Sequence, residues 1–209
     1  MRPTERARAE RRAVVKAAAN ILAMYLDADD ATRAAGHEWY MLEAQRCADF
    51  AARHKLVARA VAGAAAAISP GLRWEHTFAY LEALVRNPKA KVPTYCLENV
   101  RRAVRCLRGE DPATVLSGPK VTAFYALLAG VSSDVVVIDG HAWNIARGEY
   151  CVFRSREGYS TPVTARVTPF RYRITAAAFR EVAELVGAAP HQVQAATWIH
   201  WRNLTARGA

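Results

Sequence analysis

The sequence predicts an all-α fold, and three observations carry that prediction. Alanine tracts at Ala64–Ala67 and Ala176–Ala178 favour helix over sheet. Apolar residues recur at three- and four-residue steps along much of the chain, as on the buried face of a helix. Pro- and Gly-containing breaks such as Ser69-Pro70-Gly71 separate those stretches. With 209 residues, the chain suits one large domain or two tightly joined lobes. Its 52% hydrophobic content excludes a wholly disordered chain.

Residues 4–26 read as the first helix, with Val14, Ala17, Ile21 and Met24 on one side. The acidic turn at Asp27–Asp30 ends it. Helices are expected over 32–50 and from about residue 51 or 55 to Ile68, then over Trp74–Arg86, which Asn87-Pro88 stops. The next runs from about Tyr95 to Arg108, followed by a short piece at Ala113–Leu116. A further helix carries Val121, Phe124, Leu127 and Leu128. Val135–Ile138 is read as a buried extended approach to a helix at His141–Ala146. Residues 149–172 are the least regular and predict a loop or a hairpin. Ala176–Val186 is helical with Gly187 just beyond it, and Pro190 starts the last helix, ending near Asn203. The organisation expected is 1–65 as N-terminal helices, 66–148 as a central core, and 149–209 as a loop with C-terminal helices.

Twenty-nine Lys and Arg against 19 Asp and Glu leave a formal charge of +10, which suits a polyanionic partner such as nucleic acid. No apolar run reaches the roughly 18 residues of a membrane helix, and the Arg-rich N-terminus lacks the apolar core of a secretory signal, so a cytoplasmic location is expected. The four cysteines form no Cys-x-x-Cys pair and no compact cluster, which argues against structural zinc and a cysteine-ligated iron–sulfur cluster, and no cofactor is expected. Gly-x-Gly-x-x-Gly, Walker, His-Glu-x-x-His and Gly-x-Ser-x-Gly elements are all absent.

The informative stretch is Leu116-Ser117-Gly118-Pro119-Lys120-Val121-Thr122-Ala123-Phe124, followed by Ile138-Asp139-Gly140-His141-Ala142-Trp143-Asn144-Ile145-Ala146. A Gly-containing tight turn before a helix offers free backbone N–H groups to a phosphate. Asp139 follows Lys120 by nineteen positions. These two blocks resemble the helix-hairpin-helix DNA glycosylase superfamily, most closely the 8-oxoguanine branch, over about residues 66–148. The whole chain resembles a group of small glycosylase-like proteins from bacteria and their phages. The hairpin departs from that pattern: it is two residues shorter than Leu-Pro-Gly-Val-Gly-x-Lys and keeps one glycine, and Pro119 removes an N–H donor.

The resemblance implies a two-lobed glycosylase-like fold and a monomer that flips a base out of double-stranded DNA and cuts its N-glycosidic bond. Lys120 would attack the sugar C1′, for which its amine must be neutral, and would confer abasic-site lyase activity. Asp139 would stabilise the positive charge that builds as the bond breaks, although an Asp after an extended run is also a good helix N-cap. Gly118 and His141 would contact phosphate. Arg101, Arg105 and Arg108 share a helix face and form a candidate phosphate track, or simply a solvated basic face. Trp74, Glu75 and Trp143 are candidates for a base pocket, with core packing as the alternative for both tryptophans. Two other functions fit the same residues: a phage-type enzyme that modifies a base or nucleotide, and a DNA-binding module without catalysis.

Overall fold

A computed structural model describes residues 3–93, 96–149 and 167–207. Among these residues every regular element is helical: α1 (Pro3–Asp27), α2 (Asp30–His54), α3 (Ala58–Ile68), a 3₁₀ turn (Trp74–His76), α4 (Thr77–Arg86), α5 (Leu97–Leu107), α6 (Pro112–Val115), α7 (Pro119–Leu128), α8 (Gly140–Arg147), α9 (Pro169–Val186) and α10 (Pro190–Arg207). The all-α expectation holds. No helix is long and apolar enough to cross a membrane among the described residues.

The chain divides into two compact units, one of residues Met1–Trp39 with Val136–Ala209 and one of Tyr40–Val135. The first division falls inside α2.

In the first unit α1 packs on α8, α9 and α10. Val14, Ile21 and Met24 of α1, Ile145 of α8, Phe179 and Val182 of α9, and Trp201 of α10 share one core. Gly36 sits so close to α10 that an added Cβ would come within 2.3 Å of the Ala196 Cα. Trp39 meets Trp198 edge-on at 5.6 Å. Ion pairs of Arg11 with Glu181 and of Arg173 with Glu10 also join α1 to α9.

The second unit is built around α3. Every residue from Ala60 to Ile68 is buried, as expected of a helix apolar on all sides. Helices α4, α5, α6 and α7 pack around it. Its small side chains permit close approach, and a Cβ added at Gly63 would meet the Pro112 ring at 2.6 Å.

Several boundaries differ from the sequence expectation. Helix α2 runs to His54, and Lys55, at φ 55°, turns the chain before α3. Helix α9 begins at Pro169, so 169–172, expected to be irregular, are helical. Thr168 caps this helix, its side chain accepting from the Arg171 N–H, and Pro169 occupies the first helical position, where its missing N–H costs nothing. Residues 150–166, most of the rest of the expected loop or hairpin, lie outside the described residues, as does Tyr95. Helix α5 starts at Leu97, and α10 continues to Arg207. Of the expected buried approach Val135–Ile138, Val136–Ile138 are buried and Val135 is half-buried, and the described residues place this stretch in no helix.

Candidate active site

The Lys120 motif lies wholly in the Tyr40–Val135 unit. Asp111 caps α6, its carboxylate accepting from the Ala113 N–H at 3.1 Å. This helix has a single turn, and Leu116, Ser117 and Gly118 connect it to α7. Gly118 has φ 88° and ψ 137°, a conformation that side chains strain. Its carbonyl accepts from the Thr122 N–H at 3.1 Å and from the Thr122 hydroxyl at 3.0 Å. Pro119 and half-buried Lys120 are the first two helical residues of α7. The backbone N–H groups of such a first turn lie beyond the reach of intrahelical acceptors and collect partial positive charge.

Phe124 follows Lys120 by one helical turn on the same face. It meets Trp74 edge-on at 5.1 Å and Tyr40 at 6.1 Å. Trp74 in turn meets Phe78 at 5.9 Å, and Phe78 meets Phe50 at 5.8 Å. Arg46 lies over Phe78 at 4.5 Å, and the His54 ring is 4.4 Å from that of Phe50. His54 also pairs with Glu82 at 2.7 Å, and Glu82 with Arg86 at 2.9 Å. Trp74 thus belongs to an aromatic cluster that reaches the helix of Lys120. Glu75, beside it in the 3₁₀ turn, is exposed. The cluster was not anticipated. Its local signals were the four-residue steps Phe50–His54 and Trp74–Phe78–Glu82–Arg86.

Arg101, Arg105 and Arg108 are exposed on and just after α5 of the same unit. Arg101 pairs with Glu98 at 3.4 Å and Arg105 with Glu110 at 2.7 Å. The Arg105 guanidinium lowers the Glu110 pKa through their hydrogen bond.

The Asp139 motif lies in the other unit. Buried Val136 is held by the Tyr172 hydroxyl, which donates to its carbonyl at 2.9 Å. Burial raises the Tyr172 pKa. Asp139 is the N-cap of α8: its carboxylate accepts from the Ala142 N–H at 2.9 Å, and its carbonyl accepts from the Trp143 N–H at 3.0 Å. Half-buried His141 stands in the first turn. Arg147 and Arg171 lie over the Trp143 ring at 5.8 and 5.1 Å. The buried Trp143 indole N–H finds no acceptor among the described residues.

The structure therefore joins Trp74 to the face of α7 below Lys120. It sets Asp139, His141 and Trp143 together at the start of α8. Lys120 and Asp139 belong to different units. Among the described residues no group of three His, Cys, Asp or Glu is placed to hold a metal ion.

Comparison with curated proteins and with solved structures finds no match to this chain. A family model described as a family of unknown function, DUF7178, matches residues 3–205, and the chain belongs to that family.

Proposed function

We propose that this protein is a DNA glycosylase with abasic-site lyase activity. The observation that carries the reading is the form of the two motif blocks: Lys120 in the first turn of a helix behind a positive-φ glycine, and Asp139 nineteen positions later at the head of another helix. That is the arrangement implied by the resemblance to helix-hairpin-helix glycosylases. The formal charge of +10 supports a polyanionic substrate.

In this reading the flipped nucleotide is attacked at C1′ by the neutral Lys120 amine. The C1′–N bond breaks, its electron pair leaves with the base, and the base takes up a proton. The resulting C1′–Nζ linkage opens the sugar to a Schiff base, from which loss of a proton at C2′ expels the 3′ phosphate. The Asp139 carboxylate offsets the positive charge on the sugar as the bond breaks. His141 and the N–H groups behind Gly118 hold flanking phosphates.

A second reading, a DNA-binding module without catalysis, is favoured by the hydrogen bond from Ala142 to Asp139, which gives the aspartate a structural task of its own. Borohydride trapping on a duplex with one abasic site separates the two, because it bypasses the unknown base. The glycosylase–lyase reading expects a covalent protein–DNA adduct that Lys120→Ala abolishes. Tight, salt-sensitive binding with no adduct in the wild type removes the lyase and leaves a monofunctional glycosylase or the binding module.

A further inference from the structure

Helix α5 has two faces. One buries Ala103 and Cys106 in the second unit, where α5 packs on α3. The other carries Leu97, Val100, Arg101, Val104 and Arg105 at the steps i, i+3, i+4, i+7 and i+8, with Arg108 one turn farther. This outer stripe forms one wall of a groove of about 450 Å³, and Pro88, Lys89 and Ala90 after α4 form the other. Leu97 remains 69% exposed, a large apolar side chain left in water.

The lining has two chemistries. Leu97, Val100 and Val104, with Pro88 and Ala90, are apolar. Lys89, Arg101, Arg105 and Arg108 are cationic, and among the described residues no acidic one lines the groove. Glu98 and Glu110, which pair with Arg101 and Arg105, stand outside it.

We propose that this groove docks an amphipathic helix of a partner protein, with acidic side chains flanking its apolar ones. The helical spacing of the α5 stripe is what a second helix packs against, its ridges lying between those of α5. Apolar side chains of the partner cover Leu97, Val100 and Val104. Its carboxylates face the four cations, which attract an acidic helix and reject a basic one. A phosphate backbone would use the cations and leave five apolar residues uncovered, so this face is assigned to a protein partner rather than to the phosphate track expected from sequence. A second copy of the chain is disfavoured because each carries +10.

The test uses the full chain and three probes: a synthetic helical peptide with leucines at i, i+3, i+4 and i+7 flanked by glutamates, the same peptide with lysines for the glutamates, and a random-sequence DNA duplex. Binding is read by fluorescence anisotropy and mapped by amide chemical shifts in ¹⁵N-labelled protein. The proposal expects the glutamate peptide to bind, with shifts confined to 89–90 and 97–108. Its affinity should fall at least tenfold with the lysine peptide, with Leu97→Glu and with Arg108→Glu, and should weaken as salt rises. Both substituted side chains are exposed, and unchanged melting temperatures confirm that the variants fold; Arg108→Gln, which removes charge without reversing it, should fall between wild type and Arg108→Glu. No binding of the glutamate peptide, equal binding of the lysine peptide, or shifts elsewhere overturns the proposal. So does a duplex that shifts these same residues and loses affinity in both variants, which would make the groove a nucleic-acid surface. None of these outcomes depends on the adduct assay for Lys120.

Discussion

The Asp139 carboxylate accepts a hydrogen bond from the Ala142 backbone N–H at 2.9 Å and so fixes the first turn of α8. Two substitutions separate this task from chemistry. Asparagine caps a helix about as well as aspartate, so Asp139→Asn should leave the melting temperature nearly unchanged. Alanine cannot cap, and Asp139→Ala should cost about 0.5–2 kcal/mol in denaturant unfolding. If Asp139 also serves base excision, Asp139→Asn should lower the single-turnover rate at least a hundredfold while stability stays level. An excision rate in Asp139→Asn equal to wild type would leave the residue with its capping role alone.

Gly118 tests the turn before Lys120. A Cβ there meets nothing within 4 Å, so only the backbone angle opposes a larger residue. Gly118→Ala should cost about 1–3 kcal/mol in urea or guanidinium unfolding. A cost near zero would show that the turn relaxes to negative φ without penalty.

Gly63 and Gly36 are expected to behave differently from Gly118, because at these sites space is the constraint. Alanine is the better helix former by about 1 kcal/mol, which would favour either substitution on an exposed helix. Here the added methyl meets the Pro112 ring at 2.6 Å or the Ala196 backbone at 2.3 Å. Both variants should be destabilised by about 1–3 kcal/mol net, Gly36→Ala the more, since a backbone yields less readily than a ring. Thermal melts read both, and a rise in melting temperature would contradict the packing described.

Burial pushes the Cys47 thiol pKa up to about 12 and that of Cys106 up to about 11 from the ordinary value of 9.0. Above pH 9 the unfolded chain loses these protons while the folded chain keeps them. Stability should therefore be flat below pH 9 with respect to these groups and fall as pH rises toward 11, by up to about 1.4 kcal/mol per pH unit for each thiol. Cys47→Ala should flatten that slope. Alkylation at pH 8 followed by peptide mapping should label exposed Cys96 well ahead of Cys47 and Cys106. Equal labelling of all three would contradict their burial.

Helix positions were legible where the apolar period was strong and a clear break closed it, as at α1 with its acidic turn and at α4 and α7 with a Pro or Gly beyond. The start of α9 was not, because Pro169 reads as a breaker until Thr168 is seen to cap the turn ahead of it. The change of unit after Trp39 leaves no trace in composition, since α2 continues across it without a break. At the site, the Lys120–Asp139 spacing and the capping tendency of Asp139 could be read directly. The setting of Trp74 could not: its contact with Phe124 joins residues fifty positions apart, and no local period encodes it. The arginines of α5 showed their shared face in sequence, but the apolar wall beside them depends on where the chain returns at Pro88–Ala90.

The first unit is assembled from both ends of the chain, with the second unit encoded between them. On the ribosome, Val14, Ile21 and Met24 of α1 emerge early and have no core to enter until α8, α9 and α10 follow. The Tyr40–Val135 unit, a single continuous stretch of the chain, is free to condense in the interval. Closing the first unit then becomes the late and slow event, and the apolar stripe of α1 is what chaperones would meet while it waits.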